Sequence, residues 1–257
     1  MSPAPAGAEA AGPAFSLRGV GVRYGAAWAL REVDLDVEAG QRVALVGPSG
    51  AGKSTLLSLL NGSVPPTTGS VRVLGSDPAS LRPRELRGLR RRVGTVHQQL
   101  HLVGPLRVVH NVNAGRLGEW PLAKAAWSLV SPQEVDTVSG ALERVGIPGK
   151  LYERVDRLSG GEQQRVALAR VLVQRPEAIL GDEPIASLDP ARAGEIMDLL
   201  RDLALELGTT LVVSLHAIEL ALSHCERVIG LRDGRVVFDL PPAEVTAALA
   251  GDLYRLG

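Results

Sequence analysis

Apolar and polar residues alternate along the first part of the chain, as they do in strands that bury one face. The alternation runs over 15–24 and 28–37, and a turn at 38–40 follows. It predicts two antiparallel strands, because successive side chains of a strand point to opposite faces of a sheet. Residues 1–14 are mostly Ala, Pro and Gly, and they predict a disordered tail because few large apolar groups offset the entropy of ordering.

Short apolar runs further along the chain predict buried strands of a parallel sheet. Residues 42–46 are apolar after Arg42 and precede a Gly-rich turn and a helical pattern over 55–61. Strands are also predicted at 178–180 and 210–215, and the helical pattern over 189–207 lies between them. This strand–helix–strand order is typical of a parallel sheet.

The remaining patterns predict a helical insertion and a C-terminal hairpin. Strand signal is weak between about 98 and 158, whereas 132–145 has helical spacing with its valines and Leu142 on one face. We expect an inserted helical subdomain over about 99–157. Asp233-Gly234 predicts a hairpin turn between strands, and a short helix follows Pro242.

Composition restricts the class of protein and its compartment. The 257 residues are 45% hydrophobic and 22% charged, with 28 basic and 28 acidic side chains, so no global field attracts nucleic acid. The single cysteine, Cys225, cannot form an internal disulfide, which favours a reducing compartment. We find no membrane-spanning apolar run and no signal peptide, and we expect a cytoplasmic chain.

One segment after the strand at 42–46 fits the P-loop pattern of nucleotide-binding proteins. It consists of Gly47, Pro48, Ser49, Gly50, Ala51, Gly52, Lys53, Ser54 and Thr55. Its glycines let backbone amides point at phosphates, Lys53 reaches the β and γ oxygens, and Ser54 ligates Mg²⁺. An ordinary Gly-rich turn before a helix is the alternative, but one of only three lysines in the chain stands at this position.

Two carboxylates end the strand predicted at 178–180. Asp182 is placed to hold Mg²⁺ through water, and Glu183 is placed to polarise the water that attacks a phosphate. An acidic loop at a strand end is common and usually solvated. The P-loop upstream favours the catalytic interpretation.

The segment Leu158-Ser159-Gly160-Gly161-Glu162 precedes a helical pattern and, alone, would be interpreted as a helix cap with flexible glycines. Together with the P-loop, the Asp182-Glu183 pair and Ser187-Leu188-Asp189, it resembles the ATP-binding cassette family, the motor subunits of ABC transporters. The resemblance covers residues 15–257. It implies the α/β fold of a P-loop NTPase of the RecA-like type. This fold has a mostly parallel sheet core, an N-terminal antiparallel β subdomain and an inserted α-helical subdomain.

The resemblance also implies roles that spacing alone does not give. By similarity, Tyr24 stacks on adenine, Gln98 senses Mg²⁺ and the membrane subunit, and His216 contacts the γ-phosphate of ATP. The family works as a head-to-tail dimer, so the P-loop of one copy faces Ser159, Gly160 and Gly161 of the opposite copy. Asp189 is a further nucleotide-binding residue that the resemblance implies.

The implied partners are a second copy of the chain, integral membrane permease subunits and, indirectly, an extracytoplasmic solute-binding protein. The chain would lie on the cytoplasmic face of the membrane, with the permease at a groove around Gln98 and residues 99–157. Nucleic acid is not an expected partner. The arginines of 82–92 are interpreted as a solvated helix face, because no aromatic residue interleaves with them.

Residues 183–190 and 111–118 look most similar to phosphonate importer ATPases, and 85–94 and 233–239 resemble them more loosely. Glu162 departs from the usual Gln of the signature, Gly181 from the usual Ala, and His97 from the usual Phe. We therefore predict a subunit that energises uptake of phosphonate or a related oxyanion. The alternatives are the ATPase of another ABC transporter, for amino-acid import, lipoprotein release or export, and a soluble ABC ATPase acting on DNA or ribosomes. A signalling GTPase would need an Asn-Lys-x-Asp segment, which the sequence lacks.

Overall fold

The computed structural model describes residues 12–128, 130–186 and 188–255. Its strands are β1 (Phe15–Tyr24), β2 (Ala27–Val37), β3 (Arg42–Val46), β4 (Thr68–Val73), β5 (Val93–Val96), β6 (Ala178–Asp182), β7 (Thr210–Leu215), β8 (Arg227–Arg232) and β9 (Arg235–Leu240). Its α-helices are α1 (Lys53–Leu60), α2 (Pro83–Arg92), α3 (Val108–Asn113), α4 (Leu122–Trp127), α5 (Val135–Arg144), α6 (Gly160–Gln174), α7 (Pro190–Leu207), α8 (Ile218–His224) and α9 (Ala247–Tyr254). The tail predicted over 1–14 falls mostly outside the described residues, and Ala14, at its end, is buried.

The strands form a small antiparallel sheet and a larger, mostly parallel one. The small sheet has the order β2-β1-β4, and the two strands predicted from alternation pair antiparallel in it. The large sheet has the order β5-β6-β7-β3-β8-β9. Its first five strands are parallel, and β9 returns antiparallel to β8 through the predicted hairpin turn.

The apolar runs of the large sheet are buried on both faces. Along β3, Val43 and Leu45 join one core, which includes the small sheet and the leucines of α1. Ala44 and Val46, the alternate residues, join a second core formed with α3, α5, α6 and α7. A strand covered on both sides has no polar face, which explains its unbroken apolar run.

The regular elements described between β5 and α6 are helices, in line with the predicted helical insertion. Helices α3 and α5 pack on α6, and Val138 and Leu142 of α5 are buried in that contact. The extent of this insertion, about 99–157, stays a prediction. In the described part of the chain no helix combines the length and hydropathy needed to cross a bilayer.

The structure differs from the sequence prediction mainly at element ends, in two short strands and in helix α8, for which no helix was predicted. The helix predicted over 132–145 begins only at Val135, because Glu134 has a left-handed backbone with φ of 47°. Strands β4 and β5 carry no clear pattern. Only Val71 and Val73 of β4 are buried, and β5 has four residues, so neither pattern is long enough to stand out.

Candidate functional site

Three neighbouring strands of the large sheet bring the predicted chemical groups to one edge. Strands β6, β7 and β3 are adjacent and parallel, so their carboxyl ends lie side by side. The loop of residues 47–55 follows β3, Glu183 follows β6 and His216 follows β7. A parallel sheet therefore gathers segments that are far apart in the sequence.

The loop after β3 folds closely around the side chain of Lys53. Gly47 has φ of 149°, and a Cβ there would collide with the carbonyl oxygen of Leu231, so only glycine fits. Lys53 is 4% exposed, and its Nζ donates to the carbonyls of Gly47 and Pro48 at 2.7 and 3.1 Å. Burial lowers the pKa of Lys53, and the negative charges of Glu183 and Asp182 partly oppose that shift.

Asp182 lies in a cluster of oxygen ligands at the end of β6. The hydroxyls of Ser54 and Ser214 both donate to its Oδ1, each at 2.9 Å. The backbone N–H of Glu183 in turn donates to the Ser214 hydroxyl at 2.9 Å. Hydroxyl and carboxylate oxygens are the protein ligands that Mg²⁺ prefers, so Ser54 and Asp182 fit that ion.

Sequence reasoning missed Ser214. It is fully buried in β7, among the apolar residues that follow Thr210, where it holds both Asp182 and the backbone of Glu183. A hydroxyl inside an apolar strand was the available signal, because a buried polar group needs hydrogen-bond partners. Gln164 was missed as well: it is buried on α6 and donates to the carbonyl of Pro184, next to Glu183.

Glu183 and His216 form a close pair at the mouth of the site. His216 Nε2 lies 2.6 Å from Glu183 Oε1, and the two side chains are 47% and 16% exposed. Glu183 also has a left-handed backbone with φ of 48°. Such a conformation costs a non-glycine residue about 1–3 kcal/mol and persists only where neighbouring structure enforces it.

A cleft of about 480 Å³ joins these groups. Tyr24 reaches it from the end of β1, and Gln98 reaches it from the loop after β5. The other predicted residues that line the cleft are Ser49, Gly50, Ala51, Gly52, Lys53, Ser54, Thr55, Glu183 and His216. Most of the residues predicted for one site therefore meet in one place.

Three further predicted residues, Gly47, Pro48 and Asp182, bond to cleft residues without lining the cleft. The others lie elsewhere on the same chain. Ser159 caps α6, because its hydroxyl accepts from the N–H of Glu162 at 3.3 Å, and neither it nor Gly160 and Gly161 line the cleft. Asp189 caps α7 by accepting from the N–H of Arg192 at 3.1 Å. Ser187, part of the same predicted motif, lies outside the described residues. One chain thus carries two separate groups of predicted nucleotide contacts.

Comparisons with known proteins point to one family. The family model described as ABC transporter matches residues 30–186. A protein of Anaeromyxobacter dehalogenans named phosphonates import ATP-binding protein PhnC is 54% identical over 98% of this chain and 50% of its own length. The chain therefore spans about half the length of that relative. A Pseudomonas aeruginosa PAO1 protein named phosphonates import ATP-binding protein PhnC 1 is 50% identical over 88% of this chain and 85% of its own length.

Solved structures show the same fold. The ATP-binding cassette MJ0796, in a dimeric post-hydrolysis state with ADP and phosphate, has a TM-score of 0.74 and 32% identity over 89% of this chain and 98% of its own. CbiO1 of Clostridium perfringens is part of the cbiONQ ABC transporter complex. It has a TM-score of 0.78 and 29% identity, over 91% of this chain and 90% of its own. The α/β cassette fold predicted from sequence is confirmed, and the chain belongs to the ABC transporter family.

Proposed function

We propose that this chain is the ATP-binding and ATP-hydrolysing subunit of an ABC importer that takes up phosphonate or a related oxyanion. The observation that carries the ATPase proposal is the cleft lined by Lys53, Ser54, Glu183 and His216, with Asp182 bonded to Ser54 beside it. The choice of solute rests on the names of the chain's relatives.

The nucleotide would bind through the loop of residues 47–55. Lys53 would exchange its bonds to the carbonyls of Gly47 and Pro48 for the β and γ oxygens of ATP, and loop amides would bind the same phosphates. Tyr24, exposed at the mouth of the cleft, offers a face for adenine. Ser54, Asp182 and Gln98 would hold Mg²⁺, which supplies positive charge against the phosphates.

Hydrolysis would depend on the Glu183–His216 pair. Glu183 is a little-exposed carboxylate beside the cleft, suited to polarise a water that attacks the γ-phosphate. His216 lies within hydrogen-bond distance of that carboxylate and orients it. Ser214 fixes the backbone of Glu183 from below through its bond to the N–H.

The second group of contacts would act on the ATP bound by another copy. Ser159 and Gly160 are exposed at the start of α6, where free backbone amides favour an anion. In a head-to-tail dimer, Ser159, Gly160, Gly161 and Asp189 of one copy would face the loop of residues 47–55 of the other. ATP would then hold the dimer together until hydrolysis.

A groove of about 1400 Å³ between α2 and the helical insertion would bind the permease. Gln98, around which the sequence predicted this groove, lines the nucleotide cleft instead. The groove is lined by the arginines Arg84, Arg87, Arg90, Arg91 and Arg170 and by His97 and His101, and burial lowers the pKa of His97. Among the described residues that line it, Glu119 is the one acid, and it pairs with Arg91 and Arg116 at 3.3 and 2.8 Å. We therefore expect an acidic cytoplasmic segment of the permease there, and the chain would lie at the cytoplasmic face of the membrane.

The test is ATP hydrolysis by this chain reconstituted with its permease subunits in vesicles, with binding protein loaded with phosphonate, phosphate or phosphite. Stimulation by the phosphonate-loaded protein above the others supports the importer and its solute. Hydrolysis that no oxyanion changes would leave an ABC ATPase for another solute, such as an amino acid. No hydrolysis, with ATP still bound, would refute the ATPase proposal itself. Glu183→Gln serves as the inactive control.

A further inference from the structure

Helix α6 begins with a carboxylate in its first turn. Glu162 accepts from the backbone N–H of Ser159 at 2.8 Å, while its own N–H donates to the Ser159 hydroxyl at 3.3 Å. This reciprocal pair of bonds closes the first turn. Within the described ranges, the N–H groups of Gly160 and Gly161 have no hydrogen-bond acceptor, as is usual for the first residues of a helix.

A lysine from a different segment contacts this carboxylate. The turn Pro148–Lys150 brings Lys150 Nζ to 3.1 Å from Glu162 Oε1, and the two side chains are 37% and 28% exposed. The backbone bond from Ser159 and then the ion pair with Lys150 hold the pKa of Glu162 below its usual value. Glu162 is therefore ionised at neutral pH, and Lys150 lies against its charge.

The negative charge conflicts with the role proposed for this helix end. An ATP phosphate that approaches Ser159, Gly160 and Gly161 would be repelled by the Glu162 carboxylate. Arg192 is a cation close to this helix end, because its Cδ lies 4.0 Å from where a Cβ on Gly161 would stand. Arg192 already pairs with Asp189 at 3.3 Å. Lys150 is the cation whose ion pair offsets the Glu162 charge directly.

We propose that Lys150 is a positioning residue for ATP bound by a second copy of the chain. It neutralises Glu162 and holds that carboxylate in the first turn of α6, so that the free N–H groups dominate the field that the γ-phosphate meets. The inference rests on the head-to-tail dimer of the proposed function. It also explains how this signature works with Glu162 where Gln is usual.

The experiment measures ATP-dependent dimerisation in a Glu183→Gln background by analytical ultracentrifugation at low ionic strength. The variants are Lys150→Met, Glu162→Gln, both together, and Arg144→Met. Arg144 is the matched control, because it is also 37% exposed and pairs with Glu206 at 2.7 Å, in an ion pair outside the α6 first turn. ATP binding to the monomer is measured at protein concentrations below dimer formation.

A charge at a helix end changes the affinity for an anion bound there by about twofold to fivefold. The dimer has two α6 ends, each facing one ATP. We expect Lys150→Met to weaken the dimer by about fourfold to 25-fold, Glu162→Gln to tighten it, and the double variant to return to the parent value. Monomer ATP affinity and the melting temperature should match those of Arg144→Met.

Equal dimer affinity for Lys150→Met and Arg144→Met would overturn the inference. A weakened double variant with a lowered melting temperature would also overturn it, because it would assign Lys150 a purely structural role. If the Glu183→Gln parent binds ATP but never dimerises, the proposed dimer fails instead, so the two failures are distinguishable.

Discussion

Replacing Glu183 with Gln removes the charge of one carboxylate and changes little else. The glutamine amide has the same shape, and its oxygen can still accept from His216, which lies 2.6 Å from Oε1 in the parent. The left-handed backbone at this residue and the bond from its N–H to Ser214 do not involve the side chain. The His216 contact weakens because its partner becomes neutral, and we expect the free energy of unfolding to fall by no more than about 1.5 kcal/mol.

The same replacement abolishes most of the hydrolysis. A positioned general base contributes about 10²–10⁴-fold to a rate, and an amide has no comparable basicity, so kcat should fall by that factor. The Glu183 charge opposes the lowering of the Lys53 pKa, so its removal lowers that pKa further. ATP phosphates bring new negative charge to Lys53, and we expect ATP binding to persist.

The assay measures phosphate release and ATP binding for Glu183→Gln beside Glu219→Gln. Glu219 is exposed at the start of α8, close to the site but outside the cleft, and its replacement should leave both quantities unchanged. Bound ATP with lost turnover in the first variant alone supports the assignment. Hydrolysis by Glu183→Gln at the parent rate would show that another group activates the water.

Three further predictions follow from single side chains. Lys53→Met should weaken ATP binding by about 10-fold to 100-fold, since charge-assisted bonds are lost, and unchanged affinity in a filter-binding assay would contradict the cleft as the nucleotide site. Gly47→Ala should lower the free energy of unfolding by about 2–4 kcal/mol in urea titrations, because the new Cβ would collide with the Leu231 carbonyl. The control is Gly140→Ala on α5, where a Cβ would contact no other atom and should stabilise the helix slightly. Burial raises the pKa of Cys225 to about 12, so its thiolate is scarce at pH 8 and iodoacetamide should label it only after unfolding; rapid labelling of the native chain would disprove this.

The local elements and the identity of the chemical groups followed from the sequence. Alternation gave β1 and β2 because one face of each is buried, and the unbroken run of β3 indicated burial on both faces. Asp189 caps the start of α7 and a left-handed Gly208 caps its end, at the bounds of the helical pattern predicted over 189–207. Both caps act on their nearest neighbours in the chain. The motif residues needed no fold to be recognised as phosphate-binding chemistry.

Tertiary structure decided which of these groups meet. Ser54 and Asp182 are 128 residues apart, and they touch because the order β6-β7-β3 brings two strand ends to one edge. The same order makes the buried Ser214 the link between Asp182 and Glu183. The ion pair of Lys150 with Glu162 likewise depends on how one turn packs against α6. Periodicity reports the burial of each segment, but not its neighbour, because that depends on the arrangement of the whole chain.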